Sequence, residues 1–190
     1  MALQVEKQRQ INLSRVRREA YFEMKTEHFH SFYEFYYLLN GKRKVFVNNR
    51  VYHVKEGDMV LIPKGEIHRT TFDSKDGHER IALCFAHESI HHLLEDIGSD
   101  TFIKCFEYKH LTIPPNRRGY LESLFDRLLH EQEMKMNYRR RSVPDIVKRL
   151  SCSLYAVRIM PSLKSRKSWK TKILKRQQFI SAIITGKTLL

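Results

Sequence analysis

Apolar and aromatic residues alternate with polar ones through the first half of the chain, and this alternation predicts short β-strands. Residues 32–39 carry five aromatic side chains, a composition typical of a pleated, partly buried surface. Further strands are predicted at 21–25, 45–47, 51–54, 59–62, 68–72 and 80–86. Turn signals separate them, including Asn40-Gly41 and the two-residue hairpin signal Asn48-Asn49. Strands of this length and spacing indicate an antiparallel sandwich or barrel.

The second half changes to a helical pattern. Residues 89–97 predict a short helix with Ser89 as its N-cap. From Gly119 onward, apolar residues recur at the spacing of one helix face: Leu121, Leu124, Phe125, Leu128 and Leu129. The sequence allows two roles for this amphipathic helix, which are packing on the outer sheet and forming a dimer interface.

The pattern divides the chain into four parts. Residues 1–19 are polar and predict a frayed helix or an N-terminal arm, because Ile11, Leu13 and Val16 are too few to fix the segment. Residues 20–88 are expected to form the barrel, and 89–136 a helical packing or dimerisation region. Residues 137–190 are expected to form a basic tail.

Charge is distributed very unevenly between these parts. The 190 residues carry a formal net charge of +14. Residues 1–137 hold 21 Lys and Arg against 20 Asp and Glu, whereas residues 138–190 hold 14 against 1. The barrel is therefore near neutral and has no electrostatic reason to bind a phosphate backbone.

Two interpretations of the basic tail stay open. One is a genuine tail, disordered or partly helical, that binds nucleic acid non-specifically through charge. Its helical face would comprise Ile146, Val147, Leu150, Leu154 and Val157, bounded by Pro144 and Pro161. The other is a disruption of the reading frame near residue 138, which the abrupt change in charge balance favours.

Other features of the composition point to a cytoplasmic protein. No run of eighteen apolar residues is present, so no transmembrane span is predicted. The polar N-terminus lacks the apolar core of a secretion signal. Three widely spaced cysteines, Cys84, Cys105 and Cys152, form no CxxC motif and are expected to be reduced, buried thiols.

The candidate chemistry lies in the spacing of histidines and a glutamate. His28, His30 and Glu34 share parity, so along a strand they would project from one face, and His68 belongs to the next turn-and-strand region. Such a set suits a divalent metal (Fe, Mn, Ni or Zn) or a polar small ligand. Metal binding, contact with an organic effector and a purely structural network all remain open. Tyr36 shares the parity of Glu34 and could line the same lumen, although an aromatic there is more often part of the core.

The two motifs that hold these residues resemble the paired motifs of the cupin superfamily. The first is His28-x-His30-x3-Glu34-x6-Gly41 and the second is Gly57-x5-Pro63-x-Gly65-x2-His68, with Phe72 where the second motif usually carries Asn. Over about residues 20–136 the sequence resembles the N-terminal effector-binding domain of AraC-type transcription regulators.

This resemblance implies a mostly β fold, an antiparallel cupin (jelly-roll-like) barrel followed by an amphipathic helix. It also implies a small-molecule effector, homodimerisation and a separate helix-turn-helix domain that binds DNA. Sugars are common effectors in that family, but no residue here selects them. After Asn137 the resemblance ends, so this chain is expected to stop before the helix-turn-helix domain, and its DNA binding is expected to be doubtful or non-specific. The alternative function is a metal-dependent cupin enzyme that uses His28, His30, Glu34 and His68.

Overall fold

A computed structural model describes residues 11–19, 22–74, 76–91, 94–95, 98–134 and 146–151. Eight strands form two antiparallel sheets: β1 Ile11–Arg18, β2 Tyr33–Asn40, β3 Lys42–Val47, β4 Arg50–Lys55, β5 Asp58–Ile62, β6 His68–Phe72, β7 His78–Phe85 and β8 His110–Thr112. The first sheet has the order β1-β7-β2-β5-β8 and the second the order β4-β3-β6. The prediction of an antiparallel, cupin-like β fold followed by a helix is confirmed.

Glycine and asparagine turns connect these strands where the sequence predicted them. Asn48, in the two-residue connection between β3 and β4, has a φ of 52°, and Gly57, between β4 and β5, has a φ of 81°. At Gly57 a Cβ atom would collide with the guanidinium of Arg118. Glycine is therefore favoured at this turn by its backbone conformation, whereas the flexible end of Arg118 could move away from a Cβ atom.

Two apolar cores lie on opposite faces of the five-stranded sheet. The inner core fills the space between the sheets, and its buried members are Tyr36, Leu38, Val45, Val47, Val54, Val60 and Ile62. The outer core lies between that sheet and the helices, and it includes Tyr33, Phe35, Tyr37 and Phe102. Because neighbouring residues of a strand point to opposite faces, the aromatic strand β2 contributes to both cores.

The long helix spans Pro115–Glu133 and begins four residues before the predicted start, with Pro115 in its first turn. Leu121, Leu124, Phe125 and Leu128 are all at most 7% exposed and belong to the outer core. This is the packing role. The same four side chains were predicted as a possible dimer interface, and both that interface and dimerisation stay predictions.

Several predicted elements differ from the structure. The frayed helix or arm expected for residues 1–19 is wrong for Ile11–Arg18, which pair with β7 as strand β1. Residues 22–25 form no strand. A 3₁₀ turn at His87–Ile90, whose N-cap is Ala86, includes Ser89 and so replaces the start of the helix predicted for residues 89–97. A short helix at Ser99–Cys105 was not predicted.

The beginning of the predicted basic tail is also different from expectation. Residues 146–151 are helical, and Ile146, Val147 and Leu150 are fully buried in the outer core. This short segment therefore belongs to the folded domain. Leu154, Val157 and the two prolines that were expected to bound the helix, Pro144 and Pro161, lie outside the described residues, as does Cys152.

Candidate functional site

The chain brings the histidines together by backbone pairing between two segments that are far apart in sequence. His28 forms an isolated antiparallel bridge with His68, with N–H to C=O distances of 3.1 and 2.9 Å. Gly65 donates its backbone N–H to the carbonyl of His30 at 2.8 Å. His28 and His30 therefore lie on an irregular segment that pairs with the start of β6. The premise that they share one strand with Glu34 is wrong, although the predicted convergence does occur.

Two of the three imidazoles, those of His30 and His68, lie next to the carboxylate of Glu34, and the third, His28, packs against His68. The ring centroids of His28 and His68 lie 4.2 Å apart, and those of His30 and His68 lie 4.8 Å apart. One oxygen of Glu34 is 3.1 Å from Nε2 of His30 and 3.6 Å from Nε2 of His68. We call these four residues the imidazole centre.

Backbone carbonyls fix the orientation of two of the rings. Nδ1 of His30 donates to the carbonyl of Phe32 at 3.0 Å, and Nδ1 of His68 donates to the carbonyl of Glu66 at 2.8 Å. Since a carbonyl only accepts, both Nδ1 atoms carry hydrogen and both Nε2 atoms point to Glu34. This outer contact is the one that orients metal-ligating histidines in proteins.

Two opposing effects set the pKa values in the centre: burial disfavours the charged forms, and contacts between histidine and glutamate favour them. Burial alone would raise the pKa of Glu34, but the neighbouring His30 and His68 hold it well below its usual range. Burial lowers the pKa of His30, but the hydrogen bond to Glu34, the charge of Glu34 and the backbone contact with Phe32 together outweigh burial and raise it overall. Burial and the nearby His68 lower the pKa of His28, whose Nδ1 is buried without a hydrogen-bond partner. The centre thus offers a carboxylate and an unprotonated imidazole nitrogen.

Cys84 also lies in this site, although the sequence predicted only a reduced, buried thiol there. It lies opposite Glu34 on β7, and its sulfur belongs with His30 and Glu34 to one potential ligand group. His28, His30 and His68 form a second such group, and within each group the donor atoms lie within 4.8 Å of one another. Burial raises the pKa of the Cys84 thiol far above its usual range. Only the pairing of β2 with β7, which sequence spacing does not give, could have identified Cys84.

These donors fit a divalent transition metal. Imidazole, carboxylate and thiolate are the side chains that bind such ions. His28 Nδ1 and His68 Nε2 are buried with no hydrogen-bond partner, as expected of nitrogens that serve as ligands.

A cavity of about 610 Å³ opens from the imidazole centre into the lumen between the sheets. Its wall includes Tyr36 and Thr70 as well as Arg80, Ala82 and Cys84 of β7. Tyr36 is 2% exposed and belongs to the inner core, yet its hydroxyl is buried without a partner. Burial raises its pKa to about 12. Tyr36 is therefore both a core residue and a part of the cavity wall, so the two roles considered for it are compatible.

The two sheets, the lumen and its polar side chains define a ligand-binding domain of the cupin type. Residues 13–142 match the family model of the AraC-like ligand binding domain. The chain belongs to this family. The match begins within β1, earlier than the resemblance recognised from the motifs, and ends five residues later than Asn137.

Solved structures with similar folds cover a smaller part of the chain. An RmlC-like cupin protein from Methanocaldococcus jannaschii is 15% identical, with 40% of this chain and 71% of that chain covered and a TM-score of 0.37. Oxalate decarboxylase from Bacillus subtilis is 20% identical over 40% of this chain and 21% of its own, with a TM-score of 0.36. A point mutant of salicylate 1,2-dioxygenase from Pseudoaminobacter salicylatoxidans is 20% identical over 40% and 22%, with a TM-score of 0.37.

A search of curated proteins gives no match to this sequence. None of the described helices combines the length and apolar character that crossing a membrane requires.

Proposed function

We infer that this chain is the small-molecule-sensing domain of an AraC-type transcription regulator. The observation that carries the inference is the lumen cavity, which opens beside the imidazole centre in a domain of the AraC-like ligand-binding family. Its volume is within the range of small-molecule sites, and its wall combines apolar surface with a few polar groups.

The sensing mechanism follows from where the cavity lies. A ligand in the lumen contacts β2 and β7 on one face of the five-stranded sheet, and the helices pack on the other face. Binding that favours one packing of the helices over another would change how an attached DNA-binding unit is held. The effect on transcription is thus a shift between two arrangements of the domain.

The test is to fill the cavity and measure ligand binding. Thr70 faces the lumen, whereas Thr71, the next residue of β6, faces away from it and donates a hydrogen bond to Glu23. Thr70→Phe should therefore abolish binding of the natural effector, while the matched control Thr71→Phe should retain it. Cell metabolite fractions are screened for a compound that raises the melting temperature of the wild-type protein, and circular dichroism verifies that both variants fold.

Two results would contradict the sensing function. One is a screen in which no metabolite fraction stabilises the wild-type protein. The other is a stabilising compound that acts equally on the folded Thr70→Phe variant.

A metal-dependent cupin enzyme is the second candidate, and the donor geometry of the imidazole centre favours it. His28, His30, Glu34 and His68 would hold the ion, and a bound ion would supply Lewis-acid or redox chemistry to a substrate in the lumen. The backbone carbonyls of Phe32 and Glu66 would keep the His30 and His68 rings oriented toward the ion, and the surrounding sheets would shield the site from bulk water.

Metal analysis of the purified protein tests this candidate. We expect near-stoichiometric Fe, Mn, Ni or Zn in the wild-type protein. In His30→Ala the metal content should fall to about one tenth of that value or below, because one of few ligands is removed. His53→Ala is the control, since His53 is exposed and pairs with Asp73, away from the centre. Equal metal content in all three proteins would show that the ion binds elsewhere.

A further inference from the structure

The lumen has a second polar region below the imidazole centre, around Arg80. Strand register places side chains of the first sheet in successive levels: Asn12, Cys84 and Glu34 lie at the first, Ser14, Ala82 and Tyr36 at the second, and Val16, Arg80 and Leu38 at the third. Because alternate residues along a strand are roughly 7 Å apart, each level lies about that far below the one before it.

The Arg80 side chain rises from the third level into the cavity. Its guanidinium donates a hydrogen bond to the hydroxyl of Ser14 at 3.3 Å and lies 5.7 Å from the ring centroid of Tyr36. Both contacts belong to the second level. The charged end of Arg80 thus lies one level below the imidazole centre, along the wall of the same cavity.

No carboxylate among the described residues pairs with this guanidinium. Arg15, by contrast, pairs with Glu79 and Asp126, and Arg127 pairs with Glu131. Arg80 is half-buried, and a cation withdrawn from water without a counter-charge is unfavourable. An anion in the lumen would remove that cost.

Further positive charge collects around the same end of the lumen. Arg43 is 2% exposed, and two of its guanidinium nitrogens have no hydrogen-bond partner. The guanidiniums of Arg18 and Arg43 lie 3.6 and 6.0 Å from the ring of Phe22. These neighbours make the potential at this end of the lumen positive.

The Tyr36 hydroxyl is a second polar group that faces the cavity. It is buried in the cavity wall close to the guanidinium of Arg43, and no hydrogen bond of good geometry within the protein satisfies it. A buried hydroxyl normally finds a partner, because leaving it unpaired costs free energy. Together, Arg80, Ser14 and Tyr36 offer three donors to one acceptor group.

We propose that the cavity takes a small organic acid, whose carboxylate is held by Arg80, Tyr36 and Ser14 while the rest of the molecule points to the imidazole centre. The proposal rests on the inferred sensing function and names the chemical class of its effector. A planar guanidinium matches the two oxygens of a carboxylate. A neutral sugar would leave the charge of Arg80 uncompensated.

Pairs of an acid and a neutral analogue test the charge requirement. Benzoate with benzamide, succinate with succinamide, and glucuronate with glucose are titrated at millimolar concentration, and binding is measured as a shift in melting temperature and by calorimetry. We expect at least one acid to bind wild-type protein while its neutral counterpart does not.

Variants then place the acid within the lumen. Arg80→Gln should weaken binding of the acid about 10- to 100-fold, the usual effect of losing charge-assisted hydrogen bonds. Arg127→Gln, on the exposed face of the long helix, should leave it unchanged. Tyr36→Phe removes only the hydroxyl and should weaken binding less, which keeps the test decisive if Arg80→Gln does not fold.

Three outcomes would overturn the proposal. If the neutral compounds bind wild-type protein as tightly as the acids do, or bind the Arg80→Gln variant with the same affinity as wild type, the cavity is a sensing site for an uncharged effector. If acids bind Arg80→Gln normally and lose binding only with a chelator, the carboxylate sits on a metal at the imidazole centre. If no acid of the panel binds while a metabolite fraction still stabilises wild type and not Thr70→Phe, the sensing function stands and the acid is wrong.

Discussion

Glu34 is the residue on which the imidazole centre depends, because it is the only carboxylate within reach of both His30 and His68 among the described residues. Its charge compensates for crowding three imidazoles in a half-buried space. A metal ion would replace the proton that Nε2 of His30 donates to this carboxylate. Protonation and metal binding at the centre are therefore competing states.

His78 provides a test of charge in the lumen away from that centre. It is 5% exposed, and burial together with the positive charges of Arg43, Arg80 and Arg18 lowers its pKa to about 4. The folded state therefore favours neutral histidine. The resulting stability is present above the unfolded pKa of about 6.5 and is lost progressively as pH falls toward about 4.

We expect His78→Gln to be less sensitive to acid than the wild-type protein. Between about pH 7 and about pH 5 the wild type should lose about 2 kcal/mol more unfolding free energy than this variant. Urea denaturation at the two pH values measures the difference, with the exposed His53→Gln as control. An identical loss in His78→Gln and wild type would show that His78 is not held neutral.

Sequence reasoning predicted that these side chains converge, but partly for the wrong reason, and their role as a site stays a prediction. Parity correctly placed Glu34 and Tyr36 on the lumen face of β2. His28 and His30 converge through pairing with residues 65–68, which no spacing rule predicts. Arg80 was not singled out because a polar residue at a lumen position of β7 looks like an ordinary surface residue in the sequence. Cys84 was expected to be a buried thiol, and only its pairing with Glu34 places it beside the histidines.

At the scale of elements, the hydrophobic pattern predicted the strands that are buried on at least one face by apolar side chains. Strand β1 was missed because, apart from Val16, its lumen side carries polar residues (Asn12, Ser14 and Arg18), and its other side contributes only Ile11 and Leu13 to the outer core. A strand that lines a polar cavity loses the alternation by which strands are recognised. The long helix was predictable because its apolar face meets a sheet.

Leu124 distinguishes the two roles considered for that helix. It is 7% exposed within the outer core, so Leu124→Ala should lower the unfolding free energy by about 2–5 kcal/mol. Tyr120→Ala, at a position that is 44% exposed, should cost about 0.5 kcal/mol or less. Chemical denaturation measures both, alongside light scattering. A variant that dissociated a dimer while keeping its intrinsic stability would instead favour the interface role.

At the scale of the whole molecule, the charge division along the sequence does not coincide with the edge of the fold. The family match extends to residue 142, and residues 146–151 pack in the outer core. A frame disruption near residue 138 therefore has to be reconciled with three buried apolar residues beyond that point. For residues 152–190, which lie outside the described residues, the basic tail and the disruption both stay predictions.

Strand β2 joins the two sides of the domain through a single peptide bond. Tyr36 turns its hydroxyl to the lumen, while Tyr37 points the other way and donates a 2.7 Å hydrogen bond to Glu122 of the long helix. We therefore expect a ligand that moves Tyr36 to shift Tyr37 as well, and with it the contact to the long helix. Amide-exchange rates around Glu122 should accordingly report whether the lumen is full or empty.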